Sequence, residues 1–160
     1  MRLTGRIWKH GRFWLAEVPM LDAMTQGRSR PEALRMVADL VETMAGRSLR
    51  VEVFPGPRGM FEIGSDDAAG LVAVMLRRQR EKHGLSLADV ARRLGARSKT
   101  AYARYEQGRS VPTVDKLFEL LAAVAPGEDF VLGEVSRVAL PEKKMCPPGM
   151  SGIWMGPNSR

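Results

Sequence analysis

Residues 85–121 read LSLADVARRLGARSKTAYARYEQGRSVPTVDKLFELL. Three short amphipathic helices joined by tight turns are written in this stretch. Ser86-Leu87-Ala88-Asp89 is a capping-box variant that opens the first, with a hydroxyl at the N-cap and a carboxylate three residues on. Val90, Ala91 and Leu94 form its inner side, and the small Ala91 lets a neighbouring helix approach closely. Gly95 supplies the turn. The second helix is expected from about Ser98 to Gln107, with Tyr102 and Tyr105 turned inward and Gly108 ending it. Thr113 caps the third, and Leu117, Leu120, Leu121 and Val124 pack it back. Upstream, Ser65-Asp66-Asp67 caps a further helix running to about His83, its acidic start suited to the positive end of the helix dipole. Leu71, Val74, Met75 and Arg78 are distributed over its faces.

The outer face of the middle helix is left to Ser98, Lys99, Thr100, Ala101, Ala103 and Arg104. The chain carries a net charge of +7, and its location is more telling than its size. Residues 70–125 hold 11 Lys/Arg against 5 Asp/Glu, whereas residues 1–69 hold 10 against 9 and residues 126–160 hold 4 against 4. Nearly all the excess therefore lies on the helical segment, where phosphates would be met. Helices, turn and charge together spell a helix-turn-helix reader of duplex DNA. The N-terminal turn of the middle helix would enter the major groove, and Arg104, one turn later, would reach a base edge or a phosphate. Ser and Thr hydroxyls with nearby backbone N–H groups suit phosphate oxygens. With Ser86 and Arg97 added, Ser98, Lys99, Thr100, Ala101, Ala103 and Arg104 are the candidate DNA contacts.

The period changes in the first half. Leu3–Trp8 and Phe13–Val18 are rich in aromatic and branched residues, and Gly11 between them suits a hairpin turn. A third strand is expected over Asp22–Gln26, ended by Gly27. Ser29-Arg30-Pro31-Glu32 is a capping box with an early proline, followed by Ala33, Leu34, Val37, Leu40, Val41 and Met44 at helical spacing. Gly46 stops that helix. Leu49–Phe54 alternates again, and after Pro55-Gly56-Pro57-Arg58-Gly59 the segment Met60–Ile63 has the composition of one more strand. The fold class is α+β, a β-β-β-α-β half followed by an all-α half. The expected domains are residues 1–66, residues 67–126 and a tail over 127–160. Within the tail Pro141, Pro147, Pro148, Gly149, Gly152, Gly156 and Pro157 predict partial disorder, with Ile153-Trp154-Met155 as an apolar knot.

No enzyme is expected. The first strand carries no acid, and Glu17, Asp22 and Asp39 read as solvated charges rather than as carboxylates converging on metal ions. His10 and His83 have no Cys or acid at ligand spacing, so neither a metal nor a cofactor is expected. The single cysteine, Cys146, excludes an internal disulfide and favours a reducing cytoplasm. No apolar run reaches the roughly 20 residues of a membrane helix, and no secretion signal opens the chain. The expected location is the bacterial cytoplasm.

Over roughly residues 71–125 the chain resembles the helix-turn-helix of phage repressors and bacterial Xre-type regulators. The likeness rests on Ala91-x-x-Leu94-Gly95, Tyr105-Glu106-x-Gly108 and Pro112 before the last helix. Leu87 stands where many relatives carry a glutamine that touches a phosphate, and the turn after Gly95 is one residue longer than usual. The β-β-β-α-β half, with Gly27 just before a capped helix and Glu32-Ala33-Leu34 inside it, resembles the HicB antitoxin domain, whose fold is a partial RNase H-like one. The stretch from Ser98 to Arg109 is also similar to that subgroup. The resemblance, over about residues 1–125, implies an antitoxin of a HicAB toxin–antitoxin system. Its first half would bind a HicA-like mRNA interferase toxin, and its second half would bind the operon's own promoter DNA as a homodimer or higher homo-oligomer. Two alternatives are a stand-alone transcriptional regulator whose first half dimerises or senses a ligand, and an RNase H-like nuclease guided by DNA binding.

Overall fold

Gly11 sets the opening hairpin. It takes a positive φ of 59° at the first of two turn positions, between His10 and Phe13, which pair across the ladder. In the computed structural model, which describes residues 1–96 and 98–131, this hairpin joins β1 (Arg2–His10) to β2 (Phe13–Val18). A single 3-10 turn, Pro19–Leu21, leads to β3 (Ala23–Gly27), α1 (Arg30–Ala45), β4 (Glu52–Pro55) and β5 (Met60–Gly64). Four helices follow: α2 (Ala68–Lys82), α3 (Leu87–Arg93), α4 (Lys99–Glu106) and α5 (Val114–Val124). The expected tail features, Cys146 and the Ile153-Trp154-Met155 knot among them, lie outside the described residues, as does Arg97.

The strands form one sheet in the order β3-β2-β1-β5-β4, every neighbouring pair antiparallel. The first half is thus β-β-β-α-β-β, one strand more than the β-β-β-α-β order. Alternation gives the sheet two unlike faces. Leu3, Ile7, Ala16, Val18, Phe61 and Ile63 point into the core, where α1 lays Ala33, Leu34, Val37 and Val41 against them. The other face carries Arg6, Glu17, Met24 and Met60, and an Arg6–Glu17 ion pair of 2.6 Å crosses it.

Several strand boundaries differ from the sequence expectation, β1 running on from Trp8 to His10 and β5 from Ile63 to Gly64; two strand starts shift for a local reason. β3 starts at Ala23 because Asp22 caps the 3-10 turn at φ 47°, a left-handed conformation that a strand does not accept. β4 starts at Glu52 because its ladder with β5 begins at the Glu52–Gly64 pair. Leu49 and Val51 are buried without being strand, and the Val51 N–H donates to Glu42 Oε1 of α1 at 2.8 Å. At the start of α1, Ser29 Oγ accepts from the Glu32 N–H as the capping box requires, while the Glu32 carboxylate accepts from the N–H of Arg28, one residue before the N-cap.

Residues 1–130 are one compact unit, and α2 is the reason. Residues 71–76 of this helix are all apolar and all buried. A helix apolar on every side must be enclosed, and α2 touches α1 and the 3-10 turn on one flank and α4 and α5 on the other. Its polar residues reinforce the first flank. The Arg78 guanidinium donates to the carbonyls of Leu21 and Asp22, at 3.0 and 3.2 Å, and the buried Gln79 amide donates to the Met20 carbonyl at 2.7 Å.

Candidate nucleic-acid interface

The α3–α4 pair is built from its caps inward. Ser86 and Asp89 form a complete capping box: the Ser86 hydroxyl accepts from the Asp89 N–H, and the Asp89 carboxylate accepts from the Ser86 N–H at 3.0 Å. The Ser86 hydroxyl also donates to the Asp89 carboxylate, and that bond, ahead of the one from the Ser86 N–H, holds the Asp89 carboxyl below the ordinary aspartate range. Val90 and Ala91 are buried, and Gly95 turns the chain at φ 64°. Ser98 then caps α4 by accepting from the Thr100 N–H at 3.2 Å.

α4 is anchored from below by Tyr102 and Glu106. Tyr102 is 1% exposed. Burial, and then the Glu106 carboxylate, push its phenol far above the ordinary tyrosine range, so the ring stays neutral. Glu106 accepts two bonds from the Arg80 guanidinium of α2, at 2.7 and 3.0 Å, and Arg80 also donates to the Leu85 carbonyl at 2.8 Å. Both partners are largely buried, with side chains 14% and 6% exposed. Arg93 of α3 donates to the Ala123 carbonyl of α5 at 3.0 Å, which closes the helical cluster.

The opposite side of α4 is a concave surface lined by Lys99, Thr100, Ala103, Arg104, Gln107 and Arg109, with Leu87 of α3 at its rim. Lys99, Thr100, Ala103 and Arg104 of the candidate set thus come together. Ser98 is exposed at the N-cap with its hydroxyl proton still able to donate. Ala101 is exposed but lies off the concave lining. The Ser86 hydroxyl already donates to Asp89 Oδ2 at 2.6 Å, so it is engaged within its own cap. Gln107 and Arg109 were missed by sequence reasoning. The helical period carries Ala103 to Gln107, and Arg109 follows the Gly108 turn, so the pattern was present but unread.

Charge is sorted as well as concentrated. Arg78, Arg80, Lys82, Arg92 and Lys116 each face a carboxylate within an ion-pair distance. Among the described residues Lys99, Arg104 and Arg109 face none, nor do Arg77 of α2 and Arg93 of α3, so three of the five unanswered cations of the helical half lie on the outward side of α4. A basic concave helix face with hydroxyls at its N-terminal end is suited to a phosphate backbone and to base edges.

Fold and face together define a helix-turn-helix module. Residues 71–128 match a family model described as a helix-turn-helix domain. No curated protein matches the chain. The match covers the helical part, so DNA is the partner class that it supports. No helix among the described residues is long and apolar enough to cross a membrane, and no group of three or more His, Cys, Asp or Glu is placed to hold a metal ion there. Of the acids considered in the sequence, Glu17 is paired with Arg6, Asp22 with Arg78, and Asp39 lies on α1.

Proposed function

We propose that this chain is a DNA-binding repressor that also acts as an antitoxin of the HicAB kind. Its sheet-based half would bind and silence a HicA-like mRNA interferase, and α4 would read the promoter of the same operon. The observation that carries the DNA reading is the carboxylate-free basic face of α4, with Lys99 and Arg104 on one concave surface. Support for the antitoxin reading comes from the resemblance of the first half to HicB and from its union with a helix-turn-helix. The RNase H-like description of that half belongs to the same proposal. Binding as a homodimer or higher oligomer would set two half-sites about one helical turn apart. No catalytic step is assigned to the chain.

The test uses the full chain and its own upstream DNA. Lys99→Ala with Arg104→Ala is expected to weaken operator binding at least tenfold and to flatten its salt dependence, because each lost phosphate contact lowers the slope by about one. The double variant should still rescue growth when co-expressed with the toxin encoded next door, and should still capture it in a pull-down. Unchanged operator affinity would refute the α4 assignment. Absence of any captured neighbour product would refute the antitoxin reading alone.

A further inference from the structure

A second cavity, of about 250 Å³, opens where the end of α1, the middle of α2 and the end of α4 meet. Its walls are small, with Ala45, Gly46, Gly70 and Ala73 leaving the room. Its polar lining is Arg47, Arg77, Arg109, Glu106 and Gln107. Two of these charges are already answered. Arg47 is paired with Asp67 and Glu106 with Arg80. Arg77 and Arg109 face no carboxylate among the described residues, so the cavity presents a net positive charge from two separate elements. Arg47 stiffens the opening, because its guanidinium lies so close over Gly108 that a Cβ there would stand 2.6 Å from Nη1.

We infer that this cavity binds a small dianion, a phosphate monoester or a dicarboxylate, held by Arg77 and Arg109. Guanidinium forks suit such oxygens through paired N–H donors. The size suits a small ligand, since sites for drug-sized ligands run to roughly 300–1,000 Å³. The cavity is also coupled to the DNA face, because Gln107 and Arg109 line both concavities. An anion that captures Arg109 withdraws it from the α4 face and adds negative charge beside a phosphate backbone. Occupancy therefore lowers DNA affinity, and by linkage DNA lowers anion affinity by the same factor. Anion binding itself goes beyond the proposed antitoxin and repressor roles and needs neither toxin nor operator to be tested, whereas its coupling to DNA rests on the proposed reading of α4.

The probe is inorganic phosphate, titrated into the full chain without DNA at ionic strength matched with chloride. Saturable binding is expected with a dissociation constant of about 1 mM or tighter. Arg77→Met and Arg109→Met should each weaken it at least tenfold, and Arg109→Met, at an exposed position, guards against a folding artefact. Lys99→Ala with Arg104→Ala should leave it intact. Saturating phosphate should then lower operator affinity of the wild type several-fold beyond the chloride control, and leave Arg77→Met unaffected. Identical phosphate curves for the wild type and both Met variants overturn the inference. So does loss of DNA affinity in Arg77→Met in phosphate-free buffer with no phosphate uptake by the wild type, because the DNA backbone is then the only anion that Arg77 meets.

Discussion

Gly27 closes β3 against the backbone of α1, where an added Cβ would come within 2.5 Å of the Ala33 nitrogen and 2.9 Å of its Cα. Backbone cannot step aside as a side-chain tip can. Gly27→Ala is therefore expected to destabilise the protein by roughly 1–3 kcal/mol, read from the urea midpoint at unchanged m-value. A second single-residue effect concerns pH. The Asp89 carboxyl is held low first by its bond to the Ser86 hydroxyl. A carboxyl lowered in the folded state adds stability above its unfolded pKa, and loses it as the pH falls through the folded value. Ser86→Ala should move the Asp89 midpoint upward in a carboxyl NMR titration, and should narrow the acid range over which α3 persists. Such residues were readable in advance because capping is local. Ser29, Ser86 and Thr113 each cap the helix that their spacing announces. Asp22 was not, because its left-handed turn is gripped by Arg78 from a helix 56 residues away.

At the scale of elements, α2 separates what periodicity conveys from what it conceals. The sequence marks Leu71, Val74 and Met75 as a helix but does not say which side is inside. The answer is every side, because α1 with the 3-10 turn and the helical cluster both lean on it. Its one strong polar link to α4 is the Arg80–Glu106 pair. Glu106→Ala strands a guanidinium with its side chain only 14% exposed and should lower stability by about 3–5 kcal/mol. Replacing both partners with Met should recover much of that loss in the same denaturation experiment, since an apolar pair leaves no charge unanswered. The positions of α3, α4 and α5 were legible to within a residue or two because each has a cap and a glycine or loop stop. The fifth strand was harder to place, because the turn at residues 56–59 precedes it and its pairing with β1 reaches across the whole first half.

The whole described unit is expected to unfold in one step. Trp8 and Trp14 report on the sheet, and far-ultraviolet circular dichroism reports mainly on the helices. In a Trp154→Phe background the two signals should trace the same urea curve, as a single cooperative unit requires. A sheet signal that melts ahead of the helices would show that α2 does not bind the layers together. The helix-turn-helix part of the molecule was legible at this scale because charge excess and motif coincide. The small cavity beneath it was not, because Arg47, Arg77 and Arg109 come from three segments that no sequence window holds at once.

The shared helix also limits how this gene can be rearranged. A crossover near codon 66 would separate the sheet from the reader in the text, yet residues 71–76 would leave with one half and be missed by the other. Each descendant would carry a raw greasy flank in need of a new cover. A successful chimera must import a replacement for the lost wall, or inherit this helix together with both of its neighbours.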